Sequence, residues 1–228
     1  MMKSDKIIVP LDVPELEDAI NLVKLLPMVS FWKVGLELFI AAGPEILAYL
    51  KGEGKSIFLD LKLHDIPNTM AGACRSALKY EVDLLTLHAS AGRAALQYSL
   101  KSIEQKPLKL LGVTVLTSLS AQDLSVSMAL ADYVLSLALL CKEVGLAGSI
   151  CSPLELNKLR PACGDDFLLI CPGIRPSWSY TGDQKRTMTP AQALSFGADY
   201  LVIGRPITAD ANPKLAWSKL VEEIEENS

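Results

Sequence analysis

The chain has 228 residues, of which 50% are hydrophobic and 21% are charged, and its formal net charge is −4. This length allows one large α/β domain or two small ones, each with a core of useful size. The acidic balance and the absence of a Lys/Arg-rich run argue against a nucleic-acid partner, so we expect a small-molecule ligand.

The first apolar segment begins at Ile7 and reaches Pro10 at once, which leaves no room for the apolar part of a signal peptide. The longest apolar run, residues 134–141, is too short to span a membrane. The five cysteines lack paired C-x-x-C spacing. We therefore expect a cytoplasmic protein with reduced, mainly structural thiols and no membrane partner.

Short apolar segments alternate with helical patterns along the whole chain. The predicted strands are residues 7–11, 31–36, 57–61, 84–88, 108–116, 148–151, 167–171 and 200–203. The predicted helices are residues 15–26, 44–51, 68–80, 91–103, 131–144, 153–159, 190–196 and 213–224. Eight alternating pairs without a linker predict a single-domain α/β protein, a (β/α)8 TIM barrel over residues 1–228. A doubly wound open sheet is the alternative fold, because its strands are equally apolar.

Polar residues collect at the carboxyl ends of the predicted strands. They are Asp12, Lys33, Asp60, Lys62, His88, Thr117, Ser118, Arg175 and Arg205, the last of these directly after Gly204. This distribution favours the barrel, because barrel enzymes place their active sites at that end.

The most informative stretch is residues 58–67, where Asp60, Lys62 and Asp65 add three formal charges to the end of an apolar strand. Strand alternation places Asp60 and Lys62 on one face, roughly 7 Å apart along the backbone. Unpaired buried charges are costly, so such a cluster indicates chemistry. The structural alternative is an ion pair at a strand end, with Asp65 near the cap of the next helix.

Lys33 lies between apolar residues of strand two, so we expect it to meet a carboxylate of Asp12 or Asp60 at the barrel mouth. The alternative is a lysine that extends past the strand end to water. The two histidines, His64 and His88, lack the spacing of metal ligands, and no metal site is expected.

Gly204 and Arg205 follow the last strand, where barrels commonly bind phosphate through loop N–H groups. Gly173 and Arg175 supply a similar loop after strand seven. A guanidinium group matches phosphate oxygens, so two such loops favour a phosphate site. Taken alone, the segment at Gly204 could be a tight turn with a surface arginine.

Five motifs occur together and in order along the chain. They are D-x-K-x-x-D-I-P-N-T at 60–69, V-L-T-S at 115–118, P-G-I-R at 172–175, G-D-Q at 182–184 and I-G-R-P at 203–206. With them the chain closely resembles the orotidine 5′-phosphate decarboxylase family, from Val9 to about Ile207. The D-x-K-x-x-D core alone is shared with related phosphosugar barrels, whereas the full set is much more specific.

The resemblance implies a homodimer that converts orotidine 5′-phosphate to uridine 5′-phosphate (UMP) and carbon dioxide, the final step of UMP synthesis. It implies no metal and no organic cofactor. By the same resemblance Lys62 donates a proton to C6, Asp60 lies against the substrate carboxylate, and Lys33 extends the charge array. Asp65 enters the active site of the partner subunit.

The resemblance also assigns substrate contacts. Those expected to bind substrate are Asp12 and Lys33 at the ribose, Thr117 at the pyrimidine, Gln184 between base and phosphate, Arg175, Gly204 and Arg205 at the phosphate, and Ile66 and Thr69 from the segment that reaches the partner's site. Thr117 and Ser118 face different ways, so either could make the base contact. The segment 172–185 resembles the family's mobile phosphate-gripping loop.

Three other functions remain open at this stage. A related metal-dependent decarboxylase or aldolase-type barrel requires an acidic magnesium ligand on strand two. This chain has Lys33 there, and Glu37 follows four residues later. A noncatalytic nucleotide-binding barrel is a second alternative. A lyase that forms a Schiff base at Lys62 needs a neutral lysine, whereas two flanking carboxylates favour the charged form.

Overall fold

The computed structural model describes residues 3–104, 106–124, 126–179 and 187–226. Eight parallel strands pair in sequence order and close into a barrel, with β8 beside β1. The strands are β1 (Ile7–Pro10), β2 (Phe31–Gly35), β3 (Ser56–Leu63), β4 (Leu84–His88), β5 (Lys109–Val113), β6 (Gly148–Ile150), β7 (Leu168–Cys171) and β8 (Tyr200–Val202). The predicted (β/α)8 barrel is confirmed, and the open sheet is wrong.

Helices follow the strands and cover the outside of the barrel. They are α1 (Leu16–Leu25), α2 (Leu36–Ala42), α3 (Glu45–Gly52), α4 (Pro67–Leu78), α5 (Arg93–Ser102), α6 (Leu130–Val144), α7 (Leu156–Cys163), α8 (Pro190–Ser195), α9 (Arg205–Thr208) and α10 (Pro213–Glu226). The sequence patterns did not predict α2 and α9. Within the described ranges, none of the helices has the length and apolar character needed to cross a membrane.

Alternating side chains of the strands form two apolar layers. Inside the barrel, Ile8, Phe58 and Leu111 belong to a small buried cluster. Ile7 and Val9, which flank Ile8, belong instead to the large layer between the strands and the helices. This alternation is the pattern expected of a closed parallel sheet covered by helices. It fixes the strands firmly and leaves their carboxyl ends to carry polar side chains.

The end of β5 differs from the prediction. The strand stops at Val113, and Thr117 and Ser118 lie in the loop beyond it rather than at the strand end. Thr114 makes a late contact with β6, because its backbone N–H and its hydroxyl both donate to the carbonyl oxygen of Ile150, at 3.2 and 3.0 Å. The predicted strand, residues 108–116, is therefore too long at its carboxyl end.

Candidate active site

Four charged side chains form a continuous array at the carboxyl end of the barrel. Lys33 Nζ lies 3.0 Å from Asp12 Oδ1 and 3.5 Å from Asp60 Oδ2. Lys62 Nζ lies 2.8 Å from the same Asp60 oxygen. Lys33 thus meets both carboxylates that the sequence offered, and the array alternates in sign from Asp12 at the surface to Lys62.

Burial differs sharply along this array. The side chains of Lys33 and Asp60 are only 11% and 10% exposed, whereas that of Asp12 is 64% exposed. The Lys62 side chain is 29% exposed, so its ammonium group is held at the edge of the buried part. A positive charge at such a position interacts more strongly with a bound molecule than it would in water.

The backbone at Lys62 departs from a regular strand. Between Leu59 and Leu63, β3 advances four residues while β4 advances two, so the pairing register shifts. Lys62 itself has φ +50°, in the left-handed region that non-glycine residues rarely adopt. Asp60 and Lys62 meet as the sequence predicts, but on an irregular segment rather than on a plain alternating strand. Such bulges often re-aim a side chain near a functional site.

Asp60 is held by groups from three strands. Besides the two lysines, Thr86 of β4 donates its hydroxyl proton to Asp60 Oδ1 at 2.9 Å. Burial alone would raise the pKa of Asp60, but the charges of Lys33 and Lys62 and the hydrogen bonds from Lys62 and Thr86 outweigh it and hold the pKa below its usual value. Asp60 is therefore a carboxylate at neutral pH.

A cavity of about 310 Å³, called the central cavity below, opens beside this array. Lys33, Asp60 and Lys62 form its charged wall, and Thr117 and Ser118 contribute hydroxyl groups. The remaining lining residues are mostly apolar: Phe58, Val113, Val115, Leu116, Ile150, Cys151, Pro172 and Val202. A small, mostly apolar cavity with a few convergent polar groups is typical of a ligand site. Thr117 and Ser118, the two candidates for the base contact, both line it.

A second cavity of about 310 Å³, called the arginine cavity below, is lined by two arginines. Arg175 and Arg205 line it together with Trp178, Ser179 and Asp210 as its other polar or aromatic members. Arg175 is buried, and its Nη1 donates to the carbonyl oxygen of Ile174 at 2.9 Å. Two arginines at one cavity suit an anionic group with several oxygens, such as a phosphate.

Gly204, predicted in the phosphate region, has a steric role in this structure. A Cβ atom at this position would lie 2.8 Å from Cγ of Pro10, in β1. Glycine therefore allows the chain that leaves β8 to pass close to β1 and to begin α9 at Arg205.

The segment after β3 is exposed and, in the described part of the chain, does not contribute to the lining of either cavity. Asp65 is exposed, and its Oδ1 accepts a hydrogen bond from the N–H of Ile66 at 2.6 Å. Ile66 is 66% exposed and extended, with φ −63° and ψ 155°, as its position before Pro67 requires. Asp65, Ile66 and Thr69 do not line either cavity as the described residues of this chain define them. Their roles in substrate binding stay predictions.

Gln184 lies outside the described residues, as do the neighbouring glycine and aspartate of its motif. Its predicted contact with base and phosphate is therefore untested. In the described ranges, no cluster of three or more His, Cys, Asp and Glu side chains could hold a metal ion. His64 and His88 lie side by side, with ring centroids 5.3 Å apart.

Sequence reasoning missed two residues of this region. Thr86 is fully buried and bonds to Asp60, and the only signal for it was a lone hydroxyl in the apolar strand Leu84–His88. Trp178 lines the arginine cavity and lies under the ammonium group of Lys219, 5.9 Å from the ring centroid. An aromatic residue five positions after Gly173 carried no recognisable signal by itself.

The comparisons with known proteins identify the family of this chain. Residues 5–220 match the family model described as orotidine 5′-phosphate decarboxylase / HUMPS family. A protein of Gloeothece citriformis named orotidine 5′-phosphate decarboxylase is 58% identical over 99% of this chain and 100% of its own length. A protein of the same name from Nostoc sp. is 56% identical over 98% of each chain.

A solved structure gives the same result at the level of the fold. The crystal structure of orotidine 5′-phosphate decarboxylase from Lactobacillus acidophilus superposes with a TM-score of 0.86 at 37% identity, covering 96% of this chain and 99% of that one. A family match over nearly the whole length, close relatives and a shared barrel leave one conclusion. The chain belongs to the orotidine 5′-phosphate decarboxylase / HUMPS family.

Proposed function

We propose that this chain is a carboxy-lyase that converts orotidine 5′-phosphate to UMP and carbon dioxide, the last step of UMP synthesis. The observation that carries this proposal is the array of Asp12, Lys33, Asp60 and Lys62 beside an apolar cavity. The names of relatives up to 58% identical support it. The pyrimidine then occupies the cavity beside Lys62, and the phosphate occupies the arginine cavity.

The chemistry explains why an ammonium group is needed at Lys62. Loss of carbon dioxide from C6 leaves an electron pair in the plane of the ring, where conjugation with the carbonyl groups cannot spread it. The Lys62 ammonium stabilises this charge and then delivers a proton to C6. On the order of 20 kcal/mol of barrier lowering is needed for so slow a reaction. One lysine does not supply all of it, and binding of the remote phosphate contributes.

Asp60 acts in this proposal mainly by fixing the two lysines. Its Oδ2 lies within 3.5 Å of both ammonium groups. A carboxylate so placed pairs with both ammonium groups and aims Lys62 at C6. In this proposal Asp60 also lies against the carboxylate of the substrate. Asp12 and Lys33 then bind the ribose hydroxyls, and Arg175, Gly204 and Arg205 form the phosphate region.

We further propose a homodimer with shared active sites, in which Asp65, Ile66 and Thr69 of each chain contribute to the site of the other. Their exposed positions on a stiff segment next to β3 are consistent with this. The test mixes Lys62→Ala and Asp65→Asn chains under conditions that exchange subunits. Each mixed dimer then has one intact site, so activity should recover to about a quarter of the wild-type value. A mixture no more active than its parents, with exchange verified by mass, would reject sharing.

We infer that the enzyme works in the cytoplasm. All five cysteines are buried free thiols, as expected in a reducing compartment. Burial raises the pKa of Cys74 to about 11 and that of Cys141 to about 12, so these thiols stay protonated and unreactive.

The direct test follows the ultraviolet absorbance of orotidine 5′-phosphate with the purified protein, before and after exhaustive chelation. The proposal expects absorbance loss at the same rate in both samples. If folded protein causes no change in absorbance, the proposed activity is wrong and the noncatalytic nucleotide-binding barrel is favoured instead. Activity that disappears with chelator and returns with magnesium would favour the metal-dependent alternative.

A further inference from the structure

Thr86 lies beneath the charged array and contacts two of its parts at once. It is in the middle of β4 and is fully buried. Its hydroxyl donates to Asp60 Oδ1 at 2.9 Å and accepts a hydrogen bond from the backbone N–H of Lys62, also at 2.9 Å. One hydroxyl group therefore links the carboxylate of Asp60 to the main chain of Lys62.

The second of these bonds supports an unfavourable backbone conformation. Lys62 has φ +50°, and in the described part of the chain only Glu81 shares a positive φ among non-glycine residues. The register shift between β3 and β4 occurs at the same place. A conformation of this kind persists only where its surroundings hold it. The hydroxyl of Thr86 accepts the N–H that the shifted register presents to β4.

We propose that Thr86 is a positioning residue for the decarboxylation: through one oxygen atom it fixes both the Lys62 backbone and the Asp60 carboxylate, and so sets where the Lys62 ammonium group lies. This inference rests on the proposed function. Thr86 does not line the central cavity as the described residues define it, so it acts through its two partners and not on the substrate.

The substitution Thr86→Val keeps the shape of the side chain and removes the hydroxyl. It leaves the Lys62 N–H and one Asp60 oxygen without this partner, and the irregular segment is expected to relax. A displacement of a catalytic group by about 1 Å can reduce turnover about a hundredfold. We expect a fall in kcat of that order, with the Kd for UMP changed less than about threefold, because UMP binding does not need the transition-state position of Lys62.

A pH profile separates positioning from a general loss of structure. The charged and titratable groups around Asp60 are Lys33 from β2, Lys62 from β3 and His88 from β4, with Asp12 beyond Lys33. The Thr86 hydrogen bond is one of the interactions that lower the pKa of Asp60. Its removal should move the acidic limb of kcat, measured with saturating substrate so that the enzyme–substrate complex is observed, to higher pH. Thr86→Ser keeps the hydroxyl and should leave the limb in place.

Thr114→Val is a matched control just beyond the end of the neighbouring strand, β5. Thr114 is also buried, and its hydroxyl donates to the backbone carbonyl of Ile150 at 3.0 Å, with no contact to the charged array. The same loss of one buried hydroxyl should change kcat less than about threefold. Equal losses of kcat in Thr86→Val and Thr114→Val would overturn the proposal, as would a wild-type kcat and pH profile in Thr86→Val.

If Thr86→Val does not fold, the pair Thr86→Ser and Thr86→Ala decides. Both leave a similar gap, but only serine can restore the two hydrogen bonds. The proposal expects serine to retain kcat and alanine to lose it, and equal values refute it. Wild-type protein that does not consume orotidine 5′-phosphate refutes the proposed function instead. An active wild type with unaffected Thr86 variants refutes only the role of Thr86.

Discussion

Replacing Lys62 with alanine should nearly abolish turnover while leaving product binding largely intact. The ammonium group lies 2.8 Å from Asp60 and at the edge of the central cavity. A charge that develops about 3.5 Å from it, at an effective dielectric constant of about 20, is stabilised by about 5 kcal/mol. Loss of this interaction alone lowers the rate about a thousandfold or more. Loss of the proton donor adds to it.

The effect should fall on kcat because Lys62 acts on charge that is absent from the product. UMP carries no C6 carbanion, and its phosphate is expected at Arg175 and Arg205. The assay is loss of substrate absorbance under saturating substrate, together with calorimetric titration of UMP into the variant. A variant that keeps more than about a tenth of the wild-type kcat would refute a central role for Lys62.

Lys158→Ala is the matched control for this substitution. Lys158 lies on α7 and pairs with Asp132 of α6 at the exposed side of the barrel. A surface ion pair of this kind contributes about 0–1 kcal/mol to stability, and kcat should not change. Asp60 keeps Lys33 as a partner in Lys62→Ala, so we expect the barrel to stay folded. Circular dichroism of both variants checks this.

Three further predictions test other parts of the molecule. Arg205→Ala should reduce kcat/KM by the equivalent of about 2–3 kcal/mol of transition-state stabilisation, and free guanidinium should partly restore it. The substitution should not affect turnover of a substrate that lacks the phosphate, and an equal loss with both substrates would make Arg205 structural. Burial and nearby positive charge lower the pKa of His88 below its unfolded value, so the stability linked to the neutral imidazole is present above the ordinary histidine pKa of about 6.5 and is lost as pH falls below it. Chemical denaturation at a series of pH values should show a shallower loss for His88→Gln, and equal slopes would contradict this. Gly148→Ala should destabilise the fold by about 1–3 kcal/mol or more, because the new Cβ would lie 2.2 Å from a backbone oxygen of β7. A Cβ at Gly52 would meet nothing within 4 Å, so Gly52→Ala should be nearly neutral in the same denaturation assay.

The barrel could be predicted because its signal is local and repeated. Each strand is a short apolar run, and Ile8 and its two neighbours already show the alternation between the inner and outer layers. The missed helix α2 has a local cause, since Leu36 continues the apolar run of β2 without a polar break. The strand β5 was predicted too long because Val115 and Leu116, beyond its end, remain apolar to line the cavity.

The charged part of the site was predictable for a different reason. Asp60, Lys62 and Lys33 are charges in otherwise apolar strands, and such positions need partners. The positive φ of Lys62 and the bond from Thr86 were not predictable, because both depend on the register between two strands that lie about 20 residues apart in sequence. Sequence alone carries no signal for a shift of this kind.

The residues after β3 set a further limit on prediction from one chain. Asp65 and Thr69 are outside both described cavities, so their proposed roles depend on a second copy of the chain. The resemblance to a family supplies that idea, and subunit exchange tests it.

The charged array also links folding to activity. Asp12 follows β1, Lys33 lies in β2, Asp60 and Lys62 lie in β3, and the hydroxyl that holds them lies in β4. In an unfolded chain these groups are solvated separately, and burying Asp60 without its partners would cost several kcal/mol. Each group is therefore satisfied only when the first four strands are in register. The same closure that makes the burial of Asp60 tolerable brings the Lys62 ammonium group to the edge of the cavity, so any change that loosens this register should reduce turnover before it unfolds the barrel.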